Sequence, residues 1–549
     1  MTMEREIIRK TEKMIEELKS VCSTYGLGNA SSEYKIITEI FLYKYLNDKF
    51  IYETKKVAKE LNENSTTKEV EKYLDSLSPE QFSILTMRMG ANVAKIQNSY
   101  RVSTLFNNQN STIPEFYELF DNALIGISND NVDIFSVKTG SKEKIKLFDT
   151  LSQYITESDK RNTFFRAMIS KLVEFSFENV FSEKYDFFAT IFEYLIKDYN
   201  KDFGKYAEYY TPNSIARIIA KILAPDPTQN VTLYDPAAGS GTLLLALAHQ
   251  IGEENCTIYS QDISQKSNEF LRLNLILNNL VHSLGNVIHG DTLLNPAHLN
   301  KENNGLAQFD YIVSNPPFKT DFSETRDQLA DDKFKDRFCC DVPTIPRKDV
   351  DKMPIYVLFI QHILYSLKDY GKAAIVVPTG FLTAKTGVER KVLEYIINKN
   401  YINGVISMPS NVFATTGTNV SVLLIRKDKQ DENVFLIDAS NLGEKIKEGK
   451  KQRTILHPTD LEKITNIYIN KTIEKDFSVS VSINEIKNNN FYLNPGQYFE
   501  LEIPCCNLSK SEFKEYISKE MKELINLFDE SDKLEKVIID KMKDIDYDL

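Results

Sequence analysis

The feature that most restricts the fold is an alternation of short apolar β-rich runs with helical runs from Val231 onward. VTLYDPA precedes a helical stretch from Gly241 to Ile251, and CTIYSQD precedes another from Ser264 to Leu280. NVIHGD, FDYIVSN and GKAAIVVP continue the series, and INGVISM and VSVLLIRK can close it as an antiparallel pair. Strands that alternate with helices form a parallel, doubly wound sheet. The sequence therefore predicts an α/β fold with a Rossmann-like core.

The regions on either side of this core are predicted to be helical. In the segment 33–49, Ile36, Ile40 and Tyr43 recur at helical spacing. Near the C-terminus, apolar residues recur in the same way at Phe513, Ile517, Met521, Leu524 and Phe528. We therefore expect a helical N-terminal domain at 1–160, a catalytic domain at 161–475 and a helical C-terminal segment at 476–549.

Composition excludes several classes of protein. With 67 Lys+Arg against 78 Asp+Glu, the net charge of -11 argues against a chain coated with basic charge for unaided nucleic-acid binding. No apolar run approaches the roughly 20 residues that span a bilayer, so we expect a cytoplasmic protein with no membrane partner. The six cysteines and six histidines have neither disulfide-framework nor metal-ligand spacing, and we expect no metal.

Acidic residues stand at the ends of three predicted strands. The first strand ends in Asp235-Pro-Ala-Ala-Gly-Ser-Gly241, whose glycines allow a ligand close to the backbone. Leu244 replaces the third glycine of G-x-G-x-x-G, which disfavours a nicotinamide or flavin cofactor. Asp262 can bind ribose hydroxyls and Asp291 an adenine amino group. Each acid alone is more often a helix cap, but three on one sheet edge favour an adenosine-containing ligand.

A second motif, Asn315-Pro316-Pro317-Phe318, directly follows the strand FDYIVS. Two consecutive prolines impose a rigid, extended backbone after the asparagine. The Asn315 side-chain oxygen and the Pro316 carbonyl then become fixed acceptors for the two hydrogens of a planar amino group such as adenine N6. Phe318 offers a face on which an extruded base can stack. The alternative is a proline-rich turn that merely ends the strand.

These motifs, in this order, resemble those of the N6-adenine DNA methyltransferases. The chain is most similar to the modification subunits of type I restriction-modification systems, because three further stretches match: EYYTPN at 208–213, SEYKIITEIFLYKYLNDKF in the N-terminal region, and NNNFYLNPGQY at 488–498. The resemblance implies an S-adenosylmethionine-dependent methyltransferase fold, S-adenosylmethionine as cofactor, and adenine-specific methyl transfer to DNA. Asp262 departs from the glutamate that is usual in the family.

The resemblance also implies roles for individual residues. Those implied to be catalytic are Asn315, Pro316, Pro317 and Phe318. Those implied to bind the cofactor are Glu208, Tyr210, Thr211, Pro212, Asn213, Asp235, Ala237, Gly239, Ser240, Gly241, Thr242, Asp262, Asp291 and Thr292.

Partners follow from the same resemblance. They are double-stranded DNA, a specificity subunit, a restriction subunit in the full complex, and a second copy of the modification subunit. The amphipathic C-terminal segment is expected to lie against a partner's helices. The segment 319–352 has no clear period, and we expect a mobile loop beside the site that becomes ordered on DNA.

Other functions stay open on the sequence. An Asn-Pro-Pro-aromatic motif suits any planar amine or amide, so a stand-alone adenine or protein-glutamine N-methyltransferase is one alternative. A catalytically idle scaffold that binds DNA or protein is another, and binding of radiolabelled S-adenosylmethionine would separate it from an enzyme. Gly380 to Thr386 lacks the second glycine of a phosphate loop, so the sequence shows no motif for ATP-driven translocation.

Overall fold

The computed structural model describes most of the chain in two compact units, residues 1–498 and residues 499–549. The residues it describes are 3–28, 31–90, 93–132, 137–138, 144–145, 147–178, 181, 191, 194, 211–300, 302, 305–413, 419–448, 451–499 and 509–543. Among these residues, no helix combines the length and the apolar character needed to cross a bilayer.

The N-terminal part of the first unit is mainly helical, as predicted. Its helices are α1 (Met3–Thr24), α2 (Ser31–Val57), α3 (Thr67–Asp75), α4 (Pro79–Arg88), α5 (Val102–Asn107), α6 (Phe116–Asp130) and α7 (Ser158–Val173). The predicted stripe Ile36, Ile40 and Tyr43 is fully buried on α2. A short antiparallel hairpin of β1 (Val137–Lys138) and β2 (Lys144–Ile145) interrupts the helices and was not expected from the sequence.

A nine-stranded sheet forms the centre of the first unit. Its strands are β3 (Val231–Asp235), β4 (Cys256–Asp262), β5 (Val287–His289), β6 (Phe309–Ser314), β7 (Leu367–Pro378), β8 (Ile402–Ser407), β9 (Val420–Arg426), β10 (Asn433–Asp438) and β13 (Ser478–Ser482). They lie in the order β13-β10-β8-β9-β7-β6-β3-β4-β5. A separate antiparallel pair comprises β11 (Glu444–Glu448) and β12 (Lys451–Ile455).

The strand directions confirm the predicted doubly wound core. Strands β5, β4, β3, β6 and β7 pair in parallel, and β9 pairs antiparallel with both β7 and β8, which is the closing pair that the sequence predicted. Beyond it, β10 pairs in parallel with β8, and β13 pairs antiparallel with β10. The domain boundaries near 160 and 475 stay predictions, although β13 lies past the second one and still belongs to the sheet.

Helices cover both faces of the sheet. They are α8 (Asn213–Leu223), α9 (Thr242–Ile251), α10 (Gln265–Leu277), α12 (Tyr356–Ser366), α13 (Gly387–Asn398), α14 (Pro458–Asn470) and α15 (Ile483–Asn488), whereas the short helix α11 (Arg326–Leu329) belongs to the segment 319–352. In β7, Ala374 and Val376 join the hydrophobic cluster that includes the N-terminal helices, whereas Ile375 and Val377 join the cluster on the other face. Burial on both faces explains why the strands are almost continuously apolar.

The segment 319–352 differs from the predicted mobile loop. It contains α11 and short 3-10 turns, and its Phe322, Leu329, Phe338 and Val342 are buried in a small hydrophobic cluster of their own. The cluster is completed by side chains of α12 and of the turn after β5. A segment with irregular backbone can therefore contain a small hydrophobic core that sequence periodicity does not reveal.

The second unit contains α16 (Lys510–Lys543), a single helix of 34 residues. The predicted anchors Phe513, Ile517, Met521, Leu524 and Phe528 lie along it with exposed side chains. The sequence therefore predicted the helical character of this segment and its apolar stripe correctly.

Candidate active site

The predicted site residues come together where the strand order reverses. The chain runs outward from β3 through β4 to β5, and then returns to the other side of β3 with β6. The carboxyl ends of β3 and β6 therefore form a topological switch point, where open α/β sheets bind their ligands. Asp235 ends β3, and Asn315 directly follows β6.

The loop after β3 is held against the neighbouring strand. The backbone N–H of Gly239 donates to Asp262 Oδ2 at 2.8 Å, and Asp262 Oδ1 accepts from the N–H of Ser264 at 2.8 Å. Burial raises the pKa of the Asp262 carboxyl. Asp262 thus joins the two loops at this edge through hydrogen bonds within the protein. Its carboxylate still has lone pairs that can accept from hydroxyl groups.

Gly241 closes this loop directly before α9 and is the N-cap of that helix. Its φ of +81° lies in the left-handed region that glycine adopts without steric cost. A Cβ added here would lie 2.2 Å from Cδ1 of Leu271 on α10. Close packing of α10 on the loop therefore requires a glycine at this position, which is the reason for the last glycine of the DPAAGSG motif.

Asp235 is a buried carboxylate at the centre of the site. It accepts hydrogen bonds from the backbone N–H of Ala237 at 2.9 Å and from the Ser314 hydroxyl at 2.8 Å. Burial raises its pKa to about 7, and the nearby charge of Asp262 acts in the same direction. A ligand with a positive charge would favour the ionised form of such a group.

Asp291 and Thr292 hold the turn after β5. Asp291 Oδ1 accepts from the backbone N–H groups of Leu293 and Leu294, at 2.8 and 3.1 Å. The buried hydroxyl of Thr292 donates to the Pro236 carbonyl at 2.7 Å. Asp291 therefore caps this turn, as single acidic residues at strand ends often do, and Thr292 joins it to the loop after β3.

Asn315 and its two prolines lie at the mouth of the switch point. The buried Asn315 amide donates from Nδ2 to the hydroxyl of Thr211 at 3.1 Å. Phe318 is half-buried and meets Tyr356 edge to face, with ring centroids 6.3 Å apart. The Asn315 amide nitrogen is thus engaged within the protein, and its oxygen is the group left to act as an acceptor.

A small cleft brings several of these groups into one place. It is lined by Thr211, Asp235, Ala237, Ala238, Ser240, Thr242, Leu243 and Asn315. The hydroxyls of Ser240 and Thr242 lie 3.1 Å apart on its wall. Residues predicted to hold the cofactor and the residue predicted to hold the target amine therefore face the same space.

Other predicted residues lie around this cleft or beyond the described part of the chain. Pro212 precedes α8, and Asn213 is its first residue. Pro316 is buried, and Pro317 is partly exposed. Glu208 and Tyr210 lie outside the described residues. In the part of the chain that is described, no group of three or more His, Cys, Asp and Glu side chains is arranged to hold a metal ion.

Sequence reasoning missed two residues of the site. Ser314 donates a hydrogen bond to Asp235. Its position as a polar residue at the end of an apolar strand could have indicated this role. Arg337 donates to the carbonyls of Thr292 and Leu293. Its guanidinium stacks on Phe338, 4.4 Å from the ring centroid. Nothing in the irregular segment around Arg337 indicated this role, because the contact depends on the folded loop.

A doubly wound sheet with an asparagine-proline-proline turn beside a glycine-bearing loop defines a site of the methyltransferase type. A family model described as N-6 DNA methylase matches residues 183–503 of the 549-residue chain. The chain therefore belongs to the N-6 DNA methylase family. This result confirms the predicted family of adenine-specific DNA methyltransferases, and the fold and the family together support the predicted S-adenosylmethionine dependence.

Individual relatives agree with this assignment. The MpnII methylase subunit of a type I restriction enzyme from Mycoplasma pneumoniae is 33% identical over 330 residues, which is 58% of this chain and 58% of that subunit. The MjaIX methylase subunit from Methanocaldococcus jannaschii is 27% identical over 407 residues, 71% of this chain and 68% of that subunit. The first alignment thus spans less than two thirds of the relative's length.

A solved structure shows the same fold. It is the methyltransferase subunit of a type I restriction-modification system from Streptococcus thermophilus, with a TM-score of 0.69 and 21% identity. The match covers 91% of this chain and 100% of that one. The predicted fold class is therefore confirmed over most of the chain, including its helical N-terminal region.

Proposed function

We propose that this protein transfers a methyl group from S-adenosylmethionine to N6 of adenine in DNA, as the modification subunit of a type I restriction-modification complex. One observation carries the proposal. The Asn315 amide, held through its nitrogen by Thr211, lies in the same cleft as Asp235 at the topological switch point. Family membership supports the reaction class, and the relatives named as type I methylase subunits support the setting.

The residues present fit S-adenosylmethionine. When bound, this cofactor supplies a methyl group already activated by a sulfonium. The buried Asp235 carboxylate suits a cationic ligand, and Asp262 has acceptor capacity for ribose hydroxyls. The Gly239–Gly241 turn allows close approach to the backbone because both glycines have positive φ. We assign the ribose to Asp262 and the adenine amino group to Asp291, through the carboxylate oxygen that does not cap the turn.

The target amine would be held by Asn315 and Pro316. The Asn315 side-chain oxygen and the Pro316 carbonyl would accept its two hydrogens, which draws the nitrogen lone pair out of conjugation with the ring and directs it toward the cofactor cleft. Asn315 and Pro316 would hold this nitrogen in place while the bound cofactor supplies the methyl group, and the methylated nitrogen would release one proton to water. Phe318 stacks on the extruded base. Alignment of the reacting atoms is the main contribution of the protein.

We also propose the partners that this function requires. Double-stranded DNA is the substrate, a specificity subunit reads its sequence, and a restriction subunit and a second copy of this chain complete the assembly. Helix α16 supports a helical partner, because Phe513, Ile517 and Met521 recur along one side of it with exposed side chains. Since DNA is the substrate, the cytoplasm is the proposed compartment.

The test uses the chain co-expressed with the specificity subunit that the proposal requires. We expect single-molecule sequencing to reveal N6-methyladenine at a defined sequence motif in host DNA only when the active chain is present. Asn315→Ala should abolish the methylation while the affinity for S-adenosylmethionine stays within a few-fold, because Asn315 contacts the target amine. Labelled methyl groups that appear on protein glutamine and not on DNA would refute the proposal in favour of the protein-directed alternative.

Partner binding has its own test. Removal of residues 505–549 should abolish assembly with the specificity subunit while the affinity for S-adenosylmethionine is retained. The full-length chain alone should bind the cofactor yet methylate DNA poorly, because it lacks the subunit that reads the sequence. Assembly by the truncated chain, or strong sequence-specific methylation by the isolated chain, would contradict the proposed partnership.

A further inference from the structure

The contact between Thr211 and Asn315 joins two parts of the site that are distant in sequence. Thr211 directly precedes Pro212 and α8, and Asn315 follows β6. Their side chains are 5% and 9% exposed and meet at 3.1 Å, with Asn315 Nδ2 as the donor. Both side chains also line the cleft beside Asp235. Thr211 is therefore in a position to contact the cofactor and the catalytic asparagine at once.

The orientation of the Asn315 amide is central to the reaction. The amide has an acceptor end and a donor end, and rotation by 180° about its last bond exchanges them. Only the orientation with the oxygen toward the target amine supports catalysis. The backbone before Asn315 is already fixed, since Ser314 donates to Asp235 at 2.8 Å. The orientation of the side chain depends on its one partner among the described residues, the Thr211 hydroxyl.

The Thr211 hydroxyl favours the productive orientation of Asn315 only when its hydrogen is donated to another group. It has one hydrogen to donate and lone pairs to accept with. If the hydrogen were donated to Asn315, the amide oxygen would turn toward Thr211 and away from the target. If the hydrogen is donated into the cleft instead, the lone pairs of the hydroxyl can accept only the Asn315 NH₂ group. An acceptor in the cleft therefore selects the productive orientation.

We propose that Thr211 is a positioning residue that donates its hydroxyl hydrogen to an acceptor of the bound cofactor, such as a carboxylate oxygen, and thereby keeps the Asn315 oxygen directed toward the target amine. The inference rests on the proposed function and extends it. Occupation of the cofactor cleft and capture of the adenine amine are then coupled through one side chain. Cofactor binding stabilises the productive orientation at the second site, and the coupling is reciprocal.

Two substitutions at Thr211 test this role in the co-purified complex with the specificity subunit. Thr211→Val keeps the side-chain shape and removes the hydroxyl, and Thr211→Ser keeps the hydroxyl. With S-adenosylmethionine and DNA both saturating, we expect Thr211→Val to lower the single-turnover rate by about tenfold or more. Thr211→Ser should restore most of the rate. Saturation removes any effect of weaker cofactor binding, so the loss reports on the bound complex.

A binding measurement tests the coupling without catalysis. Fluorescence anisotropy gives the affinity for a labelled duplex that carries the methylated motif, with and without S-adenosylhomocysteine. We expect this product to change duplex affinity in the wild type and in Thr211→Ser, and to have no effect in Thr211→Val. An equal effect of S-adenosylhomocysteine in the wild type and Thr211→Val, including no effect in either, would overturn the inference.

Thr232→Val is the matched control. The Thr232 hydroxyl donates to Asp310 Oδ2 at 2.7 Å, at the end of β3 away from the site, so this variant loses a similar hydrogen bond without touching Asn315. It should keep the wild-type rate. A rate for Thr211→Val equal to that of Thr232→Val would also overturn the inference, whereas a wild-type complex that leaves no N6-methyladenine would refute the proposed function itself.

Discussion

Substitution of Gly241 by alanine is expected to open the loop after β3, the cofactor loop, which Gly241 closes. Two costs arise from the structure. A non-glycine residue at φ +81° costs about 1 to 2 kcal/mol. The new Cβ would also lie 2.2 Å from Leu271 Cδ1, and such overpacking costs about 1 to 3 kcal/mol. The sum of about 2 to 5 kcal/mol is a large fraction of the roughly 5 to 15 kcal/mol that stabilises a typical protein.

Native-state hydrogen exchange measures this effect locally. Peptides that cover α9 and α10 report the free energy of local opening, and we expect Gly241→Ala to lower it by the amount above. Gly285→Ala is the control, because a Cβ there meets no atom within 4 Å. In the background of Leu271→Ala, the cost of Gly241→Ala should shrink to its backbone part. The reasoning fails if Gly241→Ala loses no more protection than Gly285→Ala.

Three further predictions follow from the site and its surroundings. Burial raises the pKa of Asp235 to about 7, above its unfolded value, so the folded state binds the extra proton and stability should fall as pH rises from 4 to 7. Asp235→Asn should therefore raise Tm relative to the wild type at pH 8 more than at pH 5. An equal difference in Tm at both pH values would contradict this prediction. Phe318→Ala should weaken capture of the extruded base by about 1 to 3 kcal/mol, and an unchanged methylation rate on duplex DNA would exclude the stacking role. The hydrogen bond with the Cys340 thiol lowers the pKa of the exposed Cys339, whereas burial raises the pKa of Cys256. Mass spectrometry should therefore find iodoacetamide on Cys339 before Cys256 at pH 7, and equal labelling of the two would contradict this order.

The sequence predicted the parts of the fold that follow a period. Strands β3 to β9 were visible because each contains a short apolar run. Asp235, Asp262 and Asn315 were visible because strand ends converge at one edge of a parallel sheet. Helix α2 was visible through the spacing of Ile36 and Ile40. In each case a local pattern is sufficient, because burial of one face or one edge imposes it.

The remaining features depend on contacts between distant residues. Strand β13 joins the sheet only by pairing with β10, and its alternating run SVSVS is a weak signal because it holds only two apolar residues. The hydrophobic cluster within 319–352 forms on irregular backbone, so its aromatic residues have no period. The role of Arg337 on the turn after β5 requires the folded loop. The bond between Thr211 and Asn315 likewise joins residues that no spacing rule connects.

Helix α10 is shared by the N-terminal helices and the cofactor loop. On one side Leu277 accepts a hydrogen bond from Tyr45 of α2 at 3.1 Å, and Phe270 meets Tyr34 with ring centroids 5.0 Å apart. On the other side Asn274 donates to the Ser240 carbonyl at 2.9 Å. A displacement of α2 should therefore also displace the DPAAGSG loop, because α10 is closely packed against both and moves as one helix. A partner bound to α2 and a ligand bound at the loop would thus both act on α10. Binding at α2 would change how tightly the loop packs on this helix.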